Sequence, residues 1–183
     1  RRDTEAEKLY RESWQLTEKS LGSAHPYVAD QLYALARFYY DRDSYLAAEP
    51  LYKQSLAIRE SIFPKDDDDV LCSLLTLASN YYVQSKFSDA QPLYERALDI
   101  MEKKKGRDGC RCADILTYLG YVYLQTKQYD KAEPIYLRLI EMKEKSFGPE
   151  HSEVAGALYN LGFVYENMGY YGQREVPAIL ECI

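Results

Sequence analysis

The sequence predicts an all-α fold, a right-handed superhelical solenoid of antiparallel helix hairpins, and three observations lead to this prediction. A motif of the form alanine, two residues, aliphatic residue, tyrosine recurs every 42 residues, with its alanines at Ala6, Ala48, Ala90 and Ala132. A second motif, a leucine followed by a small residue, keeps the same period at Leu35-Ala36, Leu77-Ala78, Leu119-Gly120 and Leu161-Gly162. Each copy is followed by a tyrosine, at 39, 81, 123 and 165. A third series places an aromatic before each alanine motif, at Tyr45, Phe87, Tyr129 and Tyr171. A fixed period of this length indicates an array of like supersecondary units.

Each repeat is predicted to contain two amphipathic helices. Apolar residues recur at spacings of three and four, as in Ala6, Leu9, Tyr10 and Trp14, which is typical of a helix with one buried face. We expect helices at 3–20, 26–41, 45–62, 68–83, 87–104, 110–125, 129–146 and 152–168. The small ladder residues, such as Ala36 and Gly120, are expected to let paired helices approach closely, and stacking of neighbouring hairpins supplies the core.

Glycine and proline mark the predicted ends of the helices. Gly22, Pro64, Gly106 and Gly148 each end a second helix, since glycine readily takes the positive φ common after a helix end. Pro26 suits the first turn of a helix. Pro50, Pro92 and Pro134 lie near the starts of second helices, where we expect them to remove few hydrogen bonds.

The domain organisation follows the same period. We expect one array over 1–183, a fragment of a larger protein, with the second helix of a truncated repeat at 3–22 and repeats at 23–64, 65–106, 107–148 and 149–183. The last repeat diverges because Pro177 comes one residue late. Ile179, Leu180 and Ile183 predict a short helix that packs on the last full hairpin.

These ladders resemble the tetratricopeptide repeat over residues 3 to about 171. The 42-residue period and the stretches LGSAHPYVA at 21–29 and FGPEHSEVA at 147–155 are similar to the longer repeats of kinesin light chains and nephrocystin-type proteins. The resemblance implies that the first helix of each pair lines a concave groove that binds peptides. The groove positions it implies are Tyr33, Arg37, Tyr40, Leu75, Ser79, Tyr82, Thr117, Tyr121, Leu124, Tyr159, Asn160, Phe163 and Asn167.

The groove differs from that of kinesin light chains in its amides. Those proteins carry asparagines just before the ladder leucine and after the ladder tyrosine, and here only Asn160 and Asn167 keep both positions. Aromatic side chains dominate instead, which interfaces favour. A charge count over the groove and ladder positions gives Asp30, Asp41, Asp114 and Glu166 against Arg37, which predicts ligands with aromatic or aliphatic anchors and neutral to basic flanks.

Composition and the remaining motifs argue against other classes of function. The net charge of −6 disfavours nucleic-acid binding, and no apolar run is long enough for a membrane span. Four cysteines without a framework favour a reducing, cytoplasmic compartment. No cofactor motif or nucleophile motif is present, so the sequence predicts a protein that is not an enzyme.

Three groups of polar residues are interpreted structurally, each against a chemical alternative. His25 and His151 lie three periods apart, so we expect them to stabilise loops and not to form a catalytic or metal site. Asp66 to Asp69 precede a helix, where negative charge complements the helix dipole, and a cation site is the alternative. Cys112 takes the place of a valine in other repeats and is expected to be buried, whereas Cys110 and Cys112 do not form a zinc or redox motif.

Two functions remain open at this point. The first is a protein–protein interaction module that binds peptide segments in its groove, similar to a kinesin-light-chain-like cargo or assembly adaptor. The second is a structural spacer or a self-association scaffold, which would associate through the ends of the array. A regulatory domain attached to an enzyme is a third, weaker option.

Overall fold

The computed structural model describes residues 2–106 and 110–169, and these ranges contain eight α-helices and no strand. The helices are α1 (Arg2–Leu21), α2 (Pro26–Tyr40), α3 (Tyr45–Ile62), α4 (Asp68–Val83), α5 (Phe87–Lys105), α6 (Cys110–Gln125), α7 (Tyr129–Phe147) and α8 (Ser152–Asn167). Every bound lies within one residue of the predicted bound. The all-α prediction is therefore confirmed, and the predicted helix after Pro177 lies outside the described residues.

The chain divides into two compact units, residues 1–107 with α1 to α5 and residues 108–183 with α6 to α8. In the first unit, α2 packs against α3 and α4 against α5, while α3 packs on α4 and α1 on α2. In the second unit, α6 and α7 form a hairpin on which α8 packs through α7. Within each unit, a hairpin thus buries its apolar face against a neighbouring helix of the same unit.

The repeated motifs form the core of each unit. Ala48, Ala90 and Ala132 are completely buried, and the tyrosine four residues after each alanine is at most 3% exposed. Gly120 shows why the ladder needs small residues, because a Cβ there would lie 2.9 Å from Cζ of Tyr136 and 3.2 Å from Cγ2 of Ile135. The close approach of α6 and α7 therefore depends on this glycine.

The helix ends lie at the predicted glycines, and the two histidines cap the helices that follow Gly22 and Gly148. Gly22, Gly106 and Gly148 have φ between 78° and 89°. Nδ1 of His25 accepts a hydrogen bond from the backbone N–H of Tyr27 at 3.2 Å, and Nδ1 of His151 accepts one from Glu153 at the same distance. The interpretation of both histidines as loop-stabilising residues is confirmed.

Asp67 caps α4 by accepting a hydrogen bond from the backbone N–H of Asp69 at 2.8 Å. Asp68 accepts a hydrogen bond from Nζ of Lys104, at the end of α5, at 2.5 Å. Besides the expected interaction of Asp66 to Asp69 with the helix dipole, this segment therefore provides a capping hydrogen bond and an ion pair. That no metal is required stays a prediction.

The turns inside the hairpins repeat one backbone conformation that the sequence analysis missed. Asp43, Ser85 and Lys127 have φ between 56° and 58°, and Gly169 has φ of 75° at the next position of the same period. A left-handed conformation is costly for residues other than glycine. It recurs here because each turn must reverse the chain within four residues.

The expectation for the prolines was wrong in its physical reason. Pro50 is the sixth residue of α3, past the first turn, so its missing N–H deprives the carbonyl of Leu46 of its helical donor. The side chain of Leu46 is 74% exposed, and water reaches this part of the helix. Each of the three prolines therefore removes one helical hydrogen bond at a solvent-facing position.

The first helix docks on α2 through mixed contacts. The rings of Tyr10 and Phe38 lie 5.5 Å apart, and Oγ of Ser13 donates to Oε1 of Gln31 at 2.9 Å. Trp14 is half-buried beside these contacts, and its Nε1 is buried without a hydrogen-bond partner among the described residues.

None of the described helices combines the length and hydropathy of a membrane span.

Candidate functional site

The predicted groove positions lie on first helices, α2 and α4 in one unit and α6 and α8 in the other. Some of these side chains offer surface, and others are engaged in packing within their own unit.

Tyr33 on α2 is held by three neighbours. Its ring meets the ring of Tyr52 edge-on at 5.7 Å, and the guanidinium of Arg59 lies 5.2 Å from the ring centre. Its hydroxyl is 3.7 Å from Sγ of Cys72 on α4. Burial, with smaller contributions from Cys72, raises the pKa of Tyr33 to about 12, so the hydroxyl stays protonated at neutral pH.

Arg59 is the main residue that sequence reasoning missed. It lies on α3, is 6% exposed, and its Nη2 donates to Oδ1 of Asp30 on α2 at 2.7 Å. Nη1 donates to Oγ of Ser73 at 2.8 Å and to the carbonyl of Asp69 at 3.2 Å, both on α4. One guanidinium therefore joins three helices, and it compensates the charge of Asp30, which the count of groove charges had left unpaired.

Tyr40 and Tyr82 each pack on the aromatic residue that opens the next helix. The ring of Tyr40 lies 5.2 Å from that of Tyr45, and the ring of Tyr82 lies 5.8 Å from that of Phe87, both edge-on. Leu124, which occupies the corresponding position of the following repeat, is 6% exposed and offers little surface to a ligand. These positions therefore contribute to hairpin packing, while Tyr40 and Tyr82 stay half-exposed.

The remaining groove residues of the first unit are polar or half-buried. Arg37 is exposed and lies 3.8 Å from the carboxylate of Asp41. Ser79 shares a hydrogen bond of 3.2 Å with the hydroxyl of Tyr94, and Leu75 is half-buried.

The second unit offers more aromatic surface. Tyr121 on α6 is 36% exposed, and Tyr159 and Phe163 on α8 are 78% and 43% exposed. The amide of Asn167 is engaged, since it accepts from the hydroxyl of Tyr129 at 3.3 Å and donates to the carbonyl of Phe163 at 2.8 Å. Asn160 is half-buried.

A cavity of about 650 Å³ lies in the second unit among the first half of α6, the last two turns of α7 and the start of α8. Its lining includes Thr117, a predicted groove position, and Asp114 one turn earlier. Lys143 of α7 also lines it and donates to the carboxylate of Glu153 at 2.5 Å. The signal for this site was present in the sequence as a spacing, because Lys143 follows Asp114 by the same 29 residues that separate Arg59 from Asp30.

Cys72 and Cys112 form no disulfide within the described part of the chain. Cys112 is completely buried, as its place in the valine series predicted, whereas Cys72 is exposed next to Tyr33. The side chain of Cys110 and the whole of Cys182 lie outside the described residues.

Comparison with known proteins gives a consistent picture. Residues 1–61, 28–103 and 111–173 match the profile of the family described as Tetratricopeptide repeat. The chain is 23% identical to a protein of Podosopora anserina with nearly identical TPR-like repeats of the kinesin light chain type, with a TM-score of 0.77 over 98% of this chain and 84% of that chain. It is 24% identical to BtubC (BKLC) from P. vanneervenii, with a TM-score of 0.73 over 91% of this chain and 66% of that one.

A third solved structure, the apo form of RapI, is 18% identical with a TM-score of 0.70, over 93% of this chain and 45% of that chain. No curated protein sequence matches the chain. At these identities the likeness to solved structures concerns the fold.

Proposed function

Since this chain belongs to the tetratricopeptide repeat family, we propose that it is an interaction module that binds peptide segments of partner proteins along its first helices. The observation that carries the proposal is the exposed aromatic surface on these helices, above all Tyr121, Tyr159 and Phe163. Aromatic side chains with an apolar body are the residues on which binding energy concentrates at interfaces. A role as a cargo or assembly adaptor, similar to that of a kinesin light chain, is the finer form of this proposal.

The module is proposed to bind and not to catalyse, and to act in the cytoplasm. The four cysteines of the sequence, whose spacing forms no framework of a secreted protein, support a reducing compartment. Aromatic and aliphatic anchors with neutral to basic flanks are the expected ligand chemistry, since Asp114 and Glu166 are exposed carboxylates of the first helices.

The direct test is fluorescence anisotropy with two peptides that share aromatic anchors and differ only in flank charge. We expect the basic peptide to bind more tightly, and the double change Tyr82→Ala with Tyr121→Ala to raise Kd at least about 30-fold, since loss of a hot-spot aromatic costs at least about 2 kcal/mol. Tyr27→Ala is the matched control, because Tyr27 is 62% exposed but lies outside the groove set. Tighter binding of the acidic peptide, or an unchanged Kd in the double variant, would contradict the proposal.

A second candidate is a spacer or a self-association scaffold. It is favoured by the apolar surface of α1, where Leu9, Leu16 and Leu21 are 58%, 65% and 48% exposed. Light scattering at increasing protein concentration tests it. A mass that rises with concentration and returns to the monomer value in Leu16→Glu would support association through α1, and a constant monomer mass would argue against it.

A further inference from the structure

The cavity of the second unit has a counterpart in the first unit that is filled by the chain itself. Positions 114, 117, 143, 153 and 157 correspond to 30, 33, 59, 69 and 73, two periods of 42 earlier. At the earlier set, the guanidinium of Arg59 bridges Asp30 and Ser73 beneath the ring of Tyr33. In the first unit, residues at these positions therefore hold a guanidinium.

The later set differs from the earlier one in the functional group of three side chains. Thr117 stands where Tyr33 supplies a ring, Ala157 stands where Ser73 supplies a hydroxyl, and Lys143 stands where Arg59 supplies a planar guanidinium. The hydroxyl of Thr117 is turned to its own helix, donating to the carbonyl of Ala113 at 2.8 Å. Thr117 and Lys143 both line the cavity of about 650 Å³.

The carboxylate that receives the guanidinium in the first unit is retained in the second, but its partner is not. Lys143 is directed to Glu153 at 2.5 Å, and Asp114 makes no hydrogen bond or ion pair within the described part of the chain. The lining carries the carboxylates of Asp114, Glu141 and Glu153 against the ammonium groups of Lys143 and Lys145, which is an excess of one negative charge. The charge balance thus favours a cationic group.

We propose that this cavity binds an arginine side chain of a partner peptide, with its guanidinium on Asp114 in the way that Arg59 binds Asp30. The planar fork of a guanidinium suits a carboxylate, and an aromatic wall adds a cation–π contact. Phe147 supplies such a wall, since it lines the cavity and its ring is stacked at 4.8 Å on that of His151. The inference rests on the proposed function for its partner, a peptide, but the chemistry of the cavity can be tested without one.

The experiment is an NMR titration of the full 183-residue chain, labelled with ¹⁵N, with Nα-acetyl-arginine amide and with its neutral analogue Nα-acetyl-citrulline amide. We expect saturable shifts of amides around Asp114, Phe147 and Glu153 with the arginine probe, and about tenfold weaker binding of citrulline, because hydrogen bonds between charged groups are the strong ones. Asp114→Asn should reduce arginine binding to the citrulline level. Asp130→Asn, an equal change of charge in the first turn of α7 and outside the cavity lining, should leave it unchanged.

A second variant fills the cavity from within. Thr117→Tyr combined with Lys143→Arg introduces the pair that the first unit has at Tyr33 and Arg59. The introduced arginine should form an ion pair with Asp114 and so block the binding of an external arginine. We expect this variant to melt at or above the native temperature and to lose arginine binding although Asp114 is intact. Retained binding in it would overturn the inference, as would the absence of a saturable shift or equal binding of citrulline in the native chain.

These outcomes separate the inference from the proposed function. Peptides that bind through Tyr82 and Tyr121 without any effect of Asp114→Asn would leave the function standing and reject the arginine site. Binding of the arginine probe with no binding of peptides would support the chemistry of the cavity and reject the peptide-binding function.

Discussion

Arg59 joins α2, α3 and α4 through one guanidinium, and the residues of the next repeat that correspond to Asp30 and Arg59 are Cys72 and Met101. The same two positions of the repeat therefore hold a charged pair of residues in one repeat and an apolar pair in the next. The charged pair also restricts the relative position of the helices, because the hydrogen bonds of a guanidinium form only where its acceptors lie.

The first prediction uses this pair. Arg59→Met should lower the free energy of unfolding by about 1.5 to 3 kcal/mol, since hydrogen bonds of a charged group to Asp30 and Ser73 are lost. Adding Asp30→Cys should recover part of the loss, because it recreates the apolar pair. A urea-denaturation double-mutant cycle measures the coupling, and additive effects of the two changes would refute it.

The second prediction concerns acid. Burial raises the pKa of Glu49, but hydrogen bonds from Lys53 and Lys86, both at 2.7 Å, outweigh it and hold the pKa below the ordinary 4.5. The unfolded chain therefore binds a proton first as the pH falls, so the stabilisation is complete above pH 4.5 and is lost as pH falls through the lower folded pKa. Glu49→Gln should flatten the decline of melting temperature below pH 4.5. The exposed Glu150→Gln is the control, and an equally steep decline in Glu49→Gln would contradict the prediction.

α6 and α7 approach each other closely at Gly120, and the third prediction tests this contact. Gly120→Ala should cost about 1 to 3 kcal/mol of unfolding free energy, because its Cβ would lie 2.9 Å from Cζ of Tyr136. Gly162→Ala is the matched control at the same ladder position, where no described atom lies within 4 Å of the added Cβ. It should be neutral or gain up to about 1 kcal/mol of helix propensity. Equal effects of the two changes on thermal unfolding would show that packing does not decide the outcome.

The helices could be predicted from sequence because their signal is local and repeated four times. Spacing of apolar residues gives the helical faces, and Gly22, Gly106 and Gly148 mark ends through their backbone freedom alone. The contacts of Arg59 could not be predicted, since they depend on how far one side chain reaches between three helices. The same limit hid the cavity, whose lining comes from three helices, α6, α7 and α8.

Within each unit the helices are held together mainly by contacts between sequence neighbours, so a local change should have a local effect. Stability in such arrays is close to a sum of repeat and nearest-neighbour contributions. We expect Gly120→Ala to speed amide hydrogen exchange in α6 and α7 and to leave α2 and α3 close to native. A uniform loss of protection across both units would contradict this prediction.

Trp14 is the single tryptophan among 183 residues, and it lies on α1 beside the contacts with α2. Its emission therefore reports the docking of one helix, whereas circular dichroism reports the helices of the entire chain. Coincidence of the two signals is the ordinary test of a two-state transition. In this chain, a tryptophan trace that precedes the loss of ellipticity would mean detachment of α1 alone, and emission used by itself would assign to the whole protein the stability of its first helix.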